Sequence, residues 1–317
     1  MLPSFVEPVG DGLFAIDTGF HRPRFDAAYL MIERGRAAFI DTGTNSAIPR
    51  LLQALSALDL GPDCVDFVIP THVHLDHAGG AGLLMQSLPQ AQMWVHPRGA
   101  AHMIDPTRLY QGALAVYGQA EMDRSYGRLV AIDASRVSTS SDGMALSLAG
   151  RPIEFADTPG HALHHHCIWD ERSRGWFTGD TFGLSYRDFD TSQGPWISVT
   201  STPVQFDPVR LKQSIRRLLG RSPHCMYLTH YSRVEDPAHL GEMLIEQIDE
   251  MVTFANELRA VDDRHQALKR QLRAQAQNGL VAHGVLDIDS GLDLLSLDIE
   301  LNAQGLGVWL DRQSRPH

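Results

Sequence analysis

One short stretch does most to limit what this chain can fold into: Thr71-His72-Val73-His74-Leu75-Asp76-His77-Ala78-Gly79-Gly80. It follows the apolar run Val65 to Ile69, which reads as a buried strand. It precedes a Gly/Ala/Leu segment that reads as the start of a helix. Four metal-ligating side chains therefore crowd onto a strand-to-helix turn, in the spacing H-x-H-x-D-H. Residues two apart on an extended segment point the same way, so His72 and His74 can reach one metal ion together. Asp76 and His77 lie where the chain changes direction and can face a second. Gly79 and Gly80 let backbone approach without a Cβ in the way. A loop of solvated polar residues is the plain alternative, and the buried strand in front of the cluster argues against it.

Three further segments present ligand-type residues at strand ends. Asp157-Thr158-Pro159-Gly160-His161 places a His after a tight Pro-Gly turn. Trp176-Phe177-Thr178-Gly179-Asp180-Thr181 is an aromatic strand that delivers a carboxylate, and a carboxylate has two oxygens with which to bridge two cations. Cys225-Met226-Tyr227-Leu228-Thr229-His230 is an apolar strand ending in His. Ile40-Asp41-Thr42-Gly43 ends its strand with an acid, which fits a plain turn as well as a special role.

Composition narrows the function classes. The 317 residues suffice for a large core in one domain or one domain plus an appendage. The net charge is -11, with only the two lysines Lys212 and Lys269, which disfavours a nucleic-acid groove. Three cysteines without a C-x-x-C argue against a disulfide framework or an iron–sulfur or zinc-ribbon site. No apolar run approaches ~18 residues and the first residues show no targeting pattern, so a cytoplasmic protein without a membrane segment is expected.

Taken together, the motifs resemble the metallo-β-lactamase superfamily, over about residues 10 to 235, in its glyoxalase II/lactonase-like branch; they look most like bacterial and archaeal members, and the chain departs from glyoxalase II in lacking that enzyme's basic C-terminal substrate-binding residues in recognisable form. The resemblance implies an α/β fold, the four-layer αββα sandwich, with a catalytic domain over 1–235 and a C-terminal helical extension over 236–317. It implies two divalent metal ions, zinc in the first place, with iron or manganese as alternatives. By the family pattern His72, His74 and His161 hold one, Asp76, His77 and His230 hold the other, and Asp180 bridges them. Asp41 is then the buried acid that hydrogen-bonds around the histidine loop, and His165 stands behind the ligands. Zinc β-lactamases usually carry Cys at the position of Asp180, so the resemblance points away from antibiotic hydrolysis.

The implied activity is hydrolysis of a small ester, thioester or lactone by a metal-bridging hydroxide, with Asp76 orienting the nucleophile and carrying a proton to the leaving group. The alternatives are a non-haem iron redox enzyme handling oxygen, nitric oxide or a persulfide, and a binding protein that has kept the site. A small-molecule substrate is expected, with no nucleic acid and no membrane partner, and the C-terminal helices can cap the site or form a homodimer contact. The long loop from Phe182 to Pro203 should meet the substrate, with Tyr186 as a hydrogen-bond donor. The loop Gly19 to Phe25 is a second candidate pocket wall.

Overall fold

The structure, a computed structural model, describes residues 1–201 and 203–314. Thr202, in the loop expected to meet the substrate, lies outside the described residues. The chain divides into two units. The first comprises Met1–Asp157, His164–Gly179 and His224–Arg233; the second comprises Thr158–Leu163, Asp180–Pro223 and the chain from Val234 onward. The helical segment expected over 236–317 falls in the second unit, together with two segments from earlier in the chain.

The first unit is built on two mixed sheets. Strands β1 (Val6–Gly10), β2 (Leu13–Asp17), β3 (Ala27–Glu33) and β4 (Arg36–Ile40) pair antiparallel in chain order. β5 (Val65–Ile69), β6 (Gln92–Val95) and β7 (Val137–Thr139) continue the sheet in parallel. Parallel neighbours need long crossovers, and helices supply them. α1 (Ile48–Ala57) joins β4 to β5; α2 (Leu75–Ala78) and α3 (Ala81–Ser87) join β5 to β6; α4 (Pro97–Ile104), α5 (Thr107–Tyr117) and α6 (Gln119–Glu121) precede β7. The second sheet has the order β13-β12-β11-β10-β9-β8. Its strands are β8 (Ala145–Leu148), β9 (Arg151–Asp157), β10 (His166–Asp170), β11 (Gly175–Gly179), β12 (Cys225–Leu228) and β13 (Ser232–Glu235).

Strand periodicity places the core. Along β3, Ala27, Tyr29 and Met31 face the second sheet, whereas Ala28 and Leu30 join the layer containing Leu51, Leu55 and Leu84 of α1 and α3. β4 alternates in the same way, with Ala38 and Ile40 on one face and Ala37 and Phe39 on the other. Between the sheets Tyr29, Phe177 and Tyr227 meet as an aromatic cluster, with centroids 4.7 to 5.8 Å apart. Helix, sheet and sheet are therefore layered within this unit, in keeping with the α/β sandwich that the resemblance implies.

The second unit is largely helical: α7 (Pro208–Leu219), α8 (Pro237–Glu257), α9 (Arg264–Ala282), α10 (Ile288–Leu294) and α11 (Ser296–Gln313). Asp207 caps α7 by accepting from the backbone N–H of Val209 and Arg210, both at 3.1 Å. α8 buries Leu240, Leu244, Ile248, Met251 and Ala255, an apolar stripe at helical spacing; Leu258, which continues the same spacing, lies just past the helix and is half-buried. The segment from Arg264, rich in Arg and Gln, is also a helix, and Leu268 and Leu272, four apart, give it a narrow apolar edge to bury. No helix among the described residues is long and apolar enough to cross a membrane.

Candidate metal centre

The ligand-bearing turn is built by two neighbouring parallel strands. Ile40 of β4 pairs with Ile69 of β5, so Asp41 lies beside the chain as it leaves β5. Asp41 has φ 54°, a left-handed conformation that Asp tolerates and most residues do not. Its buried carboxylate then collects donors from three segments. Oδ1 accepts from Thr71 N at 2.7 Å and Thr71 Oγ1 at 3.0 Å. Oδ2 accepts from His77 Nδ1 at 2.9 Å and Thr229 Oγ1 at 2.8 Å. The short helix α2 is held from behind, where Thr42 N donates to His77 O at 2.7 Å and Gly80 N to Gly43 O at 2.8 Å.

These contacts set the imidazole tautomers. A carboxylate or a carbonyl oxygen only accepts, so the ring nitrogen facing it must carry the proton. His77 Nδ1 faces Asp41, and His230 Nδ1 faces the carbonyl of Phe25 at 2.9 Å. Both rings therefore present a bare Nε2 lone pair. Asp76 Oδ2 stands 3.7 Å from His77 Nε2 and 3.4 Å from His230 Nε2. Two ligand atoms at about 2.1 Å from one cation can be at most about 4.2 Å apart, so Asp76, His77 and His230 are spaced to share one. His72 Nε2 lies 2.8 Å from His74 Nδ1, with Thr71 Oγ1 3.2 Å from His72 Nδ1 on the far side of the ring. The first unit thus brings together His72, His74, Asp76, His77 and His230, all nitrogen and oxygen donors suited to a divalent cation.

His161 and Asp180 belong to the second unit, where His161 Nε2 lies 3.3 Å from Asp180 Oδ2, again within the span of one ion. Thr200 O faces His161 Nδ1 at 3.3 Å, so this ring too turns Nε2 toward the carboxylate. The Pro159-Gly160 turn before it is clamped to α7. Asp207 N donates to Gly160 O at 2.8 Å, and Ser214 Oγ to Pro159 O at 2.7 Å.

His165 is buried in the first unit and stacks on His72, with centroids 4.8 Å apart. Tyr186 is fully buried in the second unit, and its hydroxyl donates to Asp298 at 3.3 Å. The substrate-binding role expected for Tyr186 finds no support in that position. In the Gly19 to Phe25 loop, Phe25 meets the His230 ring at 5.3 Å, and Phe20 meets Tyr126 at 5.5 Å.

Several positioning residues carry weaker sequence signals. Thr71 and Thr229 each directly precede a ligand-type His, a Thr-His pair shared by the two segments. His166 is buried; Nε2 donates to Pro70 O at 2.9 Å, and Nδ1 contacts Ser140 Oγ at 2.7 Å. Burial lowers its pKa to about 3, so it is neutral and pins the chain just before the ligand loop. Asp26, fully buried beside Phe25, accepts from Thr18 Oγ1 at 3.1 Å, and burial raises its pKa to about 8. An acid inside the otherwise apolar run Phe25-Asp26-Ala27-Ala28-Tyr29 is the only trace it leaves in the sequence.

A family model described as the metallo-β-lactamase superfamily matches residues 21–230. The chain belongs to the metallo-β-lactamase superfamily. Its metallo-β-lactamase relatives include ST1585 of Sulfurisphaera tokodaii, a metallo-β-lactamase fold-containing protein, 25% identical over 241 residues, covering 74% of this chain and 84% of that one. The crystal structure of the archaeal ST1585 superposes with a TM-score of 0.65 at 22% identity, covering 96% of this chain and 99% of that one. The hydroxyacylglutathione hydrolase of Klebsiella pneumoniae is 26% identical over 163 residues, half of this chain and 49% of that enzyme. The match thus spans about half the length of that hydrolase. The structure of a chemotaxis sensor, ODP, with a peroxy diiron species has a TM-score of 0.55 at 17% identity, covering 76% of this chain and 93% of that one, a likeness of fold alone. Metallo-β-lactamase folds typically bind divalent metals, and the His/Asp cluster of this chain suits that chemistry.

Proposed function

We propose that this chain is a metal-dependent hydrolase of a small ester, thioester or lactone, holding two divalent cations. In this reading His72, His74 and His161 hold one, Asp76, His77 and His230 hold the other, and Asp180 is shared. The observation that carries it is the matched tautomer pair. His77 and His230 each commit Nδ1 to an acceptor and leave Nε2 within 3.7 and 3.4 Å of Asp76 Oδ2. Lone pairs and a carboxylate oxygen gathered this closely repel one another unless a cation lies among them. The hydroxyacylglutathione hydrolase relatives favour hydrolysis over redox chemistry for the same residues.

When bound, such cations polarise the scissile carbonyl and lower the pKa of a water from 15.7 to about 7. The chain's own residues do the rest. Asp76, with 22% of its side chain exposed, is the partly exposed carboxylate of the cluster, as His74 is its partly exposed imidazole. The Asp76 carboxylate takes the proton of the attacking water and returns it to the departing alkoxide or thiolate as the carbonyl bond to that group breaks. Asp41 holds the His77 ring in place throughout. Phe25 supplies an apolar edge beside His230, which suits the acyl part of a small substrate. A net charge of -11 with two lysines fits a small substrate and not a polyanion.

The test is metal analysis of the gently purified chain, followed by a panel of lactones, thioesters and esters. About two zinc or manganese ions per chain, with turnover lost on chelation and restored by metal, is the expected result. Iron per chain with oxygen consumption, or a metal-free chain that does not take up zinc, would overturn it.

A further inference from the structure

We propose that the second unit contains a separate binding site for a small organic ammonium ion of about the size of choline. The site is a cavity of about 150 Å³ enclosed by α8, α9, the helices after them and the chain segment 196–199. A cavity of roughly this size accepts a benzene-sized molecule. None of its lining residues belongs to the metal-ligand set proposed above.

Two amides of the wall are already satisfied. Gln247 accepts from Val199 N at 3.1 Å and donates to Ile197 O at 2.8 Å. Asn302 donates to Val199 O at 3.0 Å and accepts from Ser201 N at 2.6 Å. These two amides bond the backbone of Ile197, Val199 and Ser201 as a neighbouring strand would. Met251, Leu272, Leu295 and Ile299 give the lining apolar surface.

The charge on the lining selects the ligand: Asp298 accepts from the Tyr186 hydroxyl at 3.3 Å and Glu250 from Gln275 Nε2 at 2.7 Å, and neither neutral donor cancels a carboxylate's charge. Two carboxylates, Glu250 and Asp298, line the cavity, and no Lys, Arg or His does. An anion is therefore repelled and a cation favoured. Trp196 is 2% exposed and packs edge-on against Phe189 at 5.2 Å. Its indole nitrogen lies over Gly279 of α9, where an added Cβ would stand 3.1 Å from Nε1. None of the described residues accepts a hydrogen bond from that N–H. Aromatic and apolar walls with acidic groups and no base suit an alkylated ammonium, whose charge is spread over methyl groups. A hydroxyl on the same molecule gives the indole N–H its acceptor. Choline carries both features.

The experiment titrates the ¹⁵N-labelled full chain with choline and, separately, with 3,3-dimethylbutan-1-ol, its uncharged isostere. The readout is the indole N–H signal of Trp196, assigned by its loss in Trp196→Phe. Saturable shifts with choline, at affinity about tenfold or more above the isostere, are expected. Glu250→Gln, at the exposed rim, should reduce that preference, and adding Asp298→Asn should abolish it. Equal binding of both compounds, binding of neither, or a preference unchanged in Glu250→Gln would overturn the proposal, and the first two need no variant.

Discussion

Asp41 and His77 are joined by a 2.9 Å hydrogen bond between Oδ2 and Nδ1, and both side chains are buried. The same carboxylate oxygen accepts from Thr229, one residue before His230. One acid at the end of β4 therefore orients residues on two separate ligand-bearing segments. The bond places His77's proton on Nδ1 and directs the other nitrogen toward Asp76.

Asp41→Asn should lower metal affinity by roughly 10- to 100-fold, the usual cost of losing a partner behind a ligand. An amide cannot accept from Thr71, Thr229 and His77 at once, so the His77 ring loses its fixed tautomer. Competition with a chromogenic chelator measures the affinity, and a far-UV spectrum checks the fold. Unchanged affinity in a folded variant would remove Asp41 from the site.

Asp180 and Asp76 separate by stoichiometry. Asp180→Ala should lose metal content and turnover together, since the proposed bridge serves both ions. Asp76→Ala should keep about one ion per chain and lose turnover by roughly 10²-fold or more. Elemental analysis alongside the rate on the best ester distinguishes them. Full metal content in Asp180→Ala would show that this carboxylate is not shared.

His166 makes stability depend on pH with a defined sign. Its folded pKa, lowered to about 3 by burial, lies below the ordinary imidazole value of 6.5. The stabilisation is complete above pH 6.5 and is lost as pH falls toward 3, because the unfolded chain takes up the proton first. Between pH 7.5 and 5 the native chain should lose about 2 kcal/mol that His166→Gln does not lose. Urea unfolding of both at the two pH values gives the difference. Parallel pH profiles would assign the effect elsewhere.

Gly160 and Gly35 both have positive φ but differ in surroundings. A Cβ on Gly160, at φ +139°, would meet Leu211 N and Cα at 2.3 Å, and backbone atoms cannot rotate away. A Cβ on Gly35, at φ +77°, meets nothing within 4 Å. Gly160→Ala should cost about 3 kcal/mol or more, and Gly35→Ala about 1 kcal/mol. Thermal melts that rank them in the opposite order would show that the turn before His161 is not held against α7.

Much of the fold is local and was legible. The α8 stripe from Leu240 to Ala255 and the turn at Ala149-Gly150 between β8 and β9 each follow from a period or a turn signal within one segment, whereas β3 and β4 are continuous apolar runs whose division between two faces no polar alternation marks. The helix α9 was less so, because its apolar edge of Leu268 and Leu272 is thin beside its polar residues. The edge strand β7 and the terminal strand β13 offered runs of only three and four residues, too short for a pattern to stand out.

The candidate site divides along the same line. By itself the sequence determined which donors occur, and that His72, His74, Asp76 and His77 share one strand-to-helix turn, since spacing on a regular backbone sets where neighbouring side chains point. Only the tertiary structure decided that Asp41 serves both Thr71 and Thr229, which is 188 residues away. It alone decided that His230 turns Nε2 to Asp76 because Phe25 O, 205 residues away in the chain, takes its other nitrogen. No period or motif encodes such pairings. They arise where strands from distant parts of the chain end side by side, and a buried carboxylate or carbonyl there must find its donors across the fold.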